Sequence, residues 1–224
     1  IAGVDGNAQG IGRMLAPRDA NADGHSACPS WAWPGSTTVA AGGPIQSSKH
    51  GMTARAPDLS IVVPAYNEVD RLPKALDSVF GYAAQRGLDV EVIVVSDGSV
   101  DGTAELVEAT MTHQRNLRLV RLLRNQGKGA AVREGVLRSC GRVVAYVDAD
   151  LAAPIEQLDL LREDLADAKV AVVSRALPGA QLQRRQSRAR ELAGKAYAFL
   201  VQILLVRGVP DAQCGLKAFD GEFA

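Results

Sequence analysis

The sequence is poor in cysteine, carries no net charge and has no long apolar run. Three of its 224 residues are cysteines, they lie far apart, and no CxxC pair occurs. This pattern argues against a disulfide framework or a cysteine-based zinc site, and it predicts unpaired, buried cysteines in a reducing, cytosolic compartment. A formal net charge of zero leaves no basis for bulk nucleic-acid binding. The longest apolar stretch, 196–206, is well short of the roughly 20 residues that a membrane-spanning helix needs.

The chain does have enough apolar residues for one folded domain, although not along its whole length. Hydrophobic residues make up 47% of the sequence, as in globular proteins. Residues 1–57 are rich in Gly, Ala, Ser and Pro and show no sustained period of 2 or 3.6 residues. We expect 1–57 to be a disordered or non-native extension with the true start at Met52, or else a flexible tail. We expect a single domain over 58–224.

From residue 59 onward, the apolar pattern alternates between strands and helices. Such alternation predicts βαβ units, and therefore an α/β fold with a mostly parallel sheet flanked by helices. Ligands bind such sheets at the carboxyl ends of the strands, and polar, glycine-rich segments follow the first, second and fourth strands. Strands are predicted over 59–63, 91–95, 117–122, 142–147 and 170–173, and helices over 69–84, 103–111, 129–139 and 154–165.

Two of these polar segments suit the recognition of a nucleoside. In the first, which runs over 64–68, Tyr66 can stack on a base and Glu68 can accept hydrogen bonds from a base or a ribose. In the second, Asp97 can accept a hydrogen bond from a base N–H, and the glycines that follow it permit a tight turn. Taken alone, each segment is also an ordinary polar turn.

Two further segments suit a diphosphate and a metal ion. Lys128 lies between two glycines at the start of a predicted helix, where backbone N–H groups and its ammonium can hold a diphosphate. The GxxxxGK[ST] spacing of a P-loop is absent. Asp148 and Asp150 follow the fourth strand, and residues two apart in an extended chain point the same way. Two such carboxylates repel each other unless a cation lies between them, and Mg²⁺ or Mn²⁺ is the expected ion.

Together, the order and placement of these segments resemble the family 2 glycosyltransferases, in particular the branch that transfers hexoses to polyprenyl or dolichyl phosphates. The resemblance covers about 58–224 and implies the GT-A (Rossmann-like) fold. It also implies a domain truncated at its C-terminus, since relatives usually continue further. The matching segments are IVVPAYNE (61–68), VVSDGSVDGT (94–103), NQGKGAAVREG (125–135), YVDADLAAP (146–154), VSRALPG (173–179) and DAQCGLKAF (211–219).

The resemblance implies a role for each matching residue. Asp148 would contact both the nucleoside and the metal ion, Asp150 would bind the metal ion, and Lys128 would lie near the diphosphate. Asp211 would act as the base or orient the acceptor. Apart from the resemblance, the arginine-rich stretch at 183–190 suits an anionic head group, and Arg175 and Arg188 are candidates for binding a phosphate. The residues implied to bind the base and ribose are Pro64, Ala65, Tyr66, Glu68 and Asp97.

Two positions depart from the family pattern. Ser96 stands where relatives often have the first of two adjacent aspartates. Ala152 stands where some relatives have a glutamine that binds the metal ion, which implies a weaker or more open metal shell.

The implied reaction is the inverting transfer of a hexose from a nucleotide sugar to a lipid-linked phosphate, with UDP-glucose favoured over GDP-mannose as the donor. An arginine-rich stretch at 183–190 precedes an amphipathic segment. Basic residues beside an apolar helical face suit a membrane surface, although a helix packed on the core fits the pattern equally well. The expected location is the cytoplasm, with peripheral attachment at the cytoplasmic face of a membrane.

Two alternatives stay open at this point, and a third is disfavoured. The acceptor could be a soluble molecule or a cell-wall glycan. Because of the departures at Ser96 and Ala152, the chain could also be a nucleotide-sugar-binding module without catalysis. A nucleotidyltransferase shares a related sheet, but it would normally place a glycine-rich basic loop after the first strand, where this chain has PAYNE.

Overall fold

A computed structural model describes residues 12–17, 37–39, 56–174 and 215–224 of the chain. The strands are β1 (Gly12–Pro17), β2 (Thr37–Val39), β3 (Leu59–Ala65), β4 (Val90–Asp97), β5 (Leu117–Leu122), β6 (Val143–Val147), β7 (Ala168–Ser174) and β8 (Leu216–Asp220). The helices are α1 (Leu72–Arg86), α2 (Thr103–Met111), α3 (Lys128–Val136) and α4 (Leu158–Asp164), the last preceded by a 3₁₀ turn at Ile155–Gln157.

The strands form one mixed sheet in the order β1-β7-β8-β6-β3-β4-β5-β2. Its centre is parallel, because β3 pairs with both β4 and β6, and β4 pairs with β5, in the same direction. Strands β6, β8, β7 and β1 pair antiparallel at the other side. Helices α1, α2 and α3 each connect two parallel strands, as expected for βαβ units. The predicted α/β fold with flanking helices is confirmed.

The central parallel strands of the sheet are buried on both faces. Strand β4 is buried along its whole length, and β3 is buried except at Pro64, so each reads as a continuous apolar run rather than an alternating one. Helices α1, α2 and α4 cover one face and α3 covers the other. Helix α1 ends where Gly87 adopts a left-handed backbone with φ of 60°, a usual helix stop. The buried residues of α1 recur at helical spacing and are Leu72, Ala75, Leu76, Val79, Tyr82 and Ala83.

A buried polar cluster ties the amino ends of the central strands together. Ser60 and Glu91 are fully buried, and the Ser60 hydroxyl donates to Glu91. Glu91 also accepts from Arg118 at 3.2 Å and from the backbone N–H of Cys140 at 2.6 Å. A buried carboxylate is tolerated only when it is paired in this way. Cys140 is also disulfide-bonded, which corrects the expectation that every cysteine is unpaired.

Two parts of the sheet were not predicted. Strands β1 and β2 are segments of the extension at 1–57 that was expected to be disordered. They pair with β7 and β5, which would otherwise be the edges of the sheet. Edge strands leave backbone groups unpaired, so a segment without apolar periodicity can still add to them. Strand β8 was also missed. The domain boundary at residue 58 stays a prediction.

Candidate functional site

A cavity of about 370 Å³ opens at the carboxyl ends of the parallel strands. Every predicted site residue that the structure describes lines this cavity. Three predicted residues, Arg175, Arg188 and Asp211, lie outside the described residues. The lining comes from the ends of β3, β4 and β6 and the start of α3, with Pro64, Ala65, Tyr66, Glu68, Asp97, Asn125, Lys128, Ala131, Asp148, Ala149 and Asp150.

The turn after β3 presents an aromatic ring and a carboxylate to the cavity. Tyr66 is 49% exposed, so its ring is available to a ligand. The carboxylate of Glu68 pairs with Arg71, with 2.8 Å between Oε2 and Nε. Asn67, between them, has a left-handed backbone with φ of 55°, a conformation that asparagine tolerates better than most residues.

Asp97, at the end of β4, anchors the loop that precedes α3. Its side chain is buried, and its two oxygens accept from the backbone N–H groups of Gln126 and Gly127, each at 2.8 Å. A carboxylate has about four acceptor sites, so these two bonds leave acceptor capacity toward the cavity. The sequence predicted the ligand contact but missed this anchoring function.

The loop after β4 and the loop before α3 are in close backbone contact. A methyl group added at Gly98 would lie 2.5 Å from the backbone of Arg124 and Asn125, closer than any side chain permits. Gly98 also has φ of 70°, so only glycine fits here. The asparagine at 125 thereby reaches the cavity; it lies inside a quoted motif but was not predicted as a site residue.

Lys128 brings a positive charge to the cavity at the first residue of α3. Its Nζ lies 2.6 Å from Oδ1 of Asp148 and 5.6 Å from the ring centre of Tyr146. The amino end of α3 adds the positive end of a helix dipole at the same place. An ammonium and a helix terminus together form an environment suited to a diphosphate.

The segment Asp148 to Asp150 forms a turn, which corrects the prediction of an extended conformation there. Strand β6 ends at Val147, and the N–H of Leu151 bonds to the carbonyl of Asp148 at 2.9 Å. Leu151 has φ of 45°. Both carboxylates nevertheless line the same cavity. A turn, and not an extended strand as predicted, brings them together.

Gly215 limits the space around Asp148. Strand β8 pairs antiparallel with β6, and this places Gly215 beside the end of β6, where its carbonyl accepts from the N–H of Asp148 at 3.1 Å. A methyl group at Gly215 would lie 2.5 Å from Oδ2 of Asp148. The only sequence signal was a glycine directly before an apolar run in DAQCGLKAF.

The donor set for a metal ion consists of oxygen atoms. The carboxylates of Asp148 and Asp150 offer hard oxygen ligands at the cavity. Oδ1 of Asp148 forms an ion pair with the ammonium of Lys128. Among the residues that the structure describes, no group of three or more His, Cys, Asp or Glu side chains could hold a metal ion. A site for Mg²⁺ or Mn²⁺ here would therefore need oxygens from a bound diphosphate or from water, an arrangement that suits these ions.

The comparisons with known proteins match this architecture. Residues 60–222 match the family model described as glycosyl transferase family 2. The chain is 35% identical over 179 residues to a dolichyl-phosphate beta-glucosyltransferase of Dictyostelium discoideum, covering 74% of this chain and 55% of the relative. It is also 35% identical over 180 residues to the human protein of that name, covering 74% and 56%. The chain thus spans about half the length of the curated relatives that it matches.

Solved structures share the fold. One is a mannosyltransferase from Pyrobaculum calidifontis in complex with GDP-Man and Mn²⁺, with 24% identity, a TM-score of 0.51, and coverage of 74% of this chain and 45% of that chain. Another is a glucosyl-3-phosphoglycerate synthase from Mycobacterium tuberculosis in complex with Mn²⁺, UDP and phosphoglyceric acid, with 22% identity, a TM-score of 0.51, and coverage of 74% and 56%. At these identities, the likeness supports the fold alone.

Proposed function

The chain belongs to glycosyl transferase family 2, and we propose that it transfers a hexose, with inversion, from a nucleotide sugar to a polyprenyl or dolichyl phosphate. The observation that carries this proposal is the single cavity that collects Tyr66, Asp97, Lys128, Asp148 and Asp150 at the strand ends. The acceptor class is supported by the relatives, which are named dolichyl-phosphate beta-glucosyltransferases. Since the chain spans about half their length, the activity of the whole protein is part of the proposal.

The nucleoside of the donor would lie between the turn after β3 and the end of β4. There Tyr66 offers a ring for stacking on the base, and Glu68 and Asp97 offer acceptors for base and ribose hydrogens. Pro64 and Ala65 also line the cavity. We propose UDP-glucose over GDP-mannose as the donor, because the named relatives are glucosyltransferases.

The diphosphate would lie between the start of α3 and the turn after β6. Lys128 supplies a point charge for phosphate oxygens, and Asp148 and Asp150 would hold Mg²⁺ or Mn²⁺ against them. A bound divalent ion would neutralise charge on the departing nucleoside diphosphate. Lys128 lies 2.6 Å from Asp148, so its ammonium would be close to both the metal ligands and the diphosphate.

The acceptor would attack the anomeric carbon from the face opposite the leaving group, as inversion requires. A phosphate acceptor is already ionised, so it needs orientation and charge screening more than a general base. We assign orientation of the acceptor to Asp211 on the family resemblance. We assign phosphate contacts to Arg175 and Arg188 on the arginine-rich sequence at 183–190 and the segment that precedes it. These three residues lie outside the described part of the chain.

We further propose that the protein acts as a peripheral enzyme at the cytoplasmic face of a membrane, where a polyprenyl phosphate would be held. In the described ranges, no helix has the length and apolar character needed to cross a bilayer. The proposed attachment rests on the basic and amphipathic sequence at 183–204.

Transfer of radiolabelled glucose from UDP-glucose into an organic extract containing polyprenyl phosphate tests this proposal. We expect the transfer to need Mg²⁺ or Mn²⁺ and to fall by about two orders of magnitude in Asp150→Ala, the scale of loss when a transition-state charge partner is removed. Asp167→Ala is a matched control, because Asp167 is exposed and does not line the cavity. Full transfer by Asp150→Ala would refute the metal site, and label that reaches only water-soluble acceptors would refute the lipid acceptor.

A further inference from the structure

The loop after β4 binds the backbone of the turn that carries Tyr66. Three successive N–H groups of this turn each donate to a different side chain of the loop or of the first residue of α2, so the turn is bound residue by residue. The pairs are Asn67 to Ser99 Oγ at 3.1 Å, Glu68 to Thr103 Oγ1 at 2.9 Å, and Val69 to Asp101 Oδ2 at 3.1 Å.

Asp101 is the centre of this arrangement. One oxygen of its carboxylate accepts from the N–H of Val69, and the other accepts from the N–H of Thr103 at 3.0 Å and from its hydroxyl at 2.5 Å. Because the Thr103 hydroxyl donates to Asp101, its lone pairs are directed to the N–H of Glu68. The carboxylate therefore acts on two positions of the turn, directly at Val69 and through Thr103 at Glu68.

The turn also binds the loop in the reverse direction. The Oδ1 atom of Asn67 accepts from the N–H of Val100 at 3.0 Å. Ser99 Oγ donates to the carbonyl of Ala65 at 3.4 Å. The left-handed backbone at Asn67 is thus stabilised on both sides, and the turn has one supported conformation.

Asp101 itself does not line the cavity, whereas Tyr66 and Glu68 do. Any effect of Asp101 on a ligand must therefore pass through the turn. Burial raises the pKa of the Asp101 carboxyl, but the hydrogen bonds from Thr103 and Val69 outweigh this and hold its pKa below the ordinary value. The group is consequently an ionised acceptor at neutral pH, as its three bonds require.

We propose that Asp101 is a positioning residue for the donor: it holds the backbone of residues 67–69 so that Tyr66 and Glu68 face the nucleoside. That the ligand is a nucleotide rests on the proposed function, whereas the hydrogen bonding of Asp101 to the turn does not. The hydrogen bonds to the turn can be measured without a nucleotide.

Asp101→Asn tests this inference, with Glu105→Gln as the matched control. The amide keeps the size of the side chain but turns one acceptor oxygen into a donor that faces an N–H group. Glu105→Gln is the same chemical change, from a carboxylate to an amide, on helix α2. There the Glu105 carboxylate pairs with Arg121 and not with the turn. Thr103→Ser keeps the bridging hydroxyl and should behave like the unchanged protein.

We expect hydrogen exchange at 66–69 to speed up in Asp101→Asn and to stay unchanged in Glu105→Gln. We expect UDP affinity to fall about tenfold in Asp101→Asn, about 1.4 kcal/mol, with KM raised more than kcat is lowered. In a Tyr66→Ala, Glu68→Ala background, the same substitution should cost little further affinity, because the groups it positions are already gone.

Unchanged exchange at 66–69 in Asp101→Asn would overturn the inference. An affinity loss as large in the Tyr66→Ala, Glu68→Ala background as in the unchanged protein would also overturn it, since Asp101 would then act by another route. If neither UDP nor GDP binds the unchanged protein with Mg²⁺ or Mn²⁺ present, the proposed function fails. The exchange measurement still judges whether Asp101 holds the turn.

Discussion

Replacing Gly215 by alanine tests whether the position of Asp148 controls the chemistry of the cavity. Gly215 lies beside the end of β6, and its carbonyl bonds to the N–H of Asp148. The new methyl group would lie 2.5 Å from Oδ2 and 3.0 Å from Cγ of that carboxylate. Ordinary contact begins at 3.4 Å, so the carboxylate must move by 3.4 − 2.5, or about 0.9 Å.

The size of the effect follows from this displacement. Catalytic groups must stay within about 0.5 Å of their productive position, and a misplacement of about 1 Å can cost on the order of a hundredfold in rate. We therefore expect metal-dependent glucose transfer by Gly215→Ala to fall about 100-fold. The Asp148 side chain is 24% exposed at the cavity, so it can rotate without disturbing the core. We expect the free energy of unfolding to change by only about 1 kcal/mol.

Two assays separate this effect from unfolding. Chemical denaturation gives the free energy of unfolding, and Mn²⁺ affinity in the presence of UDP, measured by the electron paramagnetic resonance of free Mn²⁺, reports on the carboxylate directly. Gly129→Ala is the matched control: Gly129 is also near the cavity, but a methyl group there meets nothing within 4 Å. Normal Mn²⁺ affinity and normal transfer by a folded Gly215→Ala would refute the reasoning.

Three further substitutions have expected outcomes. Lys128→Met should weaken UDP-glucose binding about tenfold in calorimetry by removing a charge-assisted contact to the diphosphate; an unchanged Kd at low salt would contradict this assignment. Burial and the hydrogen bond to Asp159 raise the pKa of Tyr82 from 10.0 to about 12, so the folded state holds the phenol proton more tightly than the unfolded state does. The stability that this difference contributes is complete below pH 10 and is lost as the pH rises toward 12. In urea unfolding, Tyr82→Phe should show a smaller alkaline decrease than the unchanged protein, and equal decreases would argue against the pKa shift. Gly81→Ala should raise the unfolding free energy by about 0.5–1 kcal/mol in thermal melts, because Gly81 lies inside α1 with open space at its Cβ; a lower melting temperature would show that the site is strained.

The sequence predicted elements best where their signals are local. Strand β5 and helix α2 occur over the predicted residues, because their apolar spacing and flanking turn residues lie within the segments themselves. Helix α1 begins at Leu72, three residues after the predicted start. Residues 68–72 form a separate turn, in which the N–H groups of Arg71 and Leu72 both donate to the carbonyl of Glu68. The N–H groups of Glu68 and Val69 bond to side chains of a segment distant in the sequence. Strand β8 was missed because Lys217 and Asp220 interrupt its apolar residues and its pairing partners are distant in sequence.

Much of the lining of the cavity could be predicted from the sequence alone. Buried strands end where their apolar runs end, and the carboxyl ends of parallel strands meet at one edge of a sheet, so Tyr66, Asp97 and Asp148 were predicted to share a cavity. Only the tertiary structure decided which other parts of the protein these side chains contact and how closely they are packed. The bonds from Gln126 and Gly127 to Asp97 and the contact of Gly215 with Asp148 join loops that are far apart along the chain. Such approaches depend on the fold as a whole, and no local pattern of residue types encodes them.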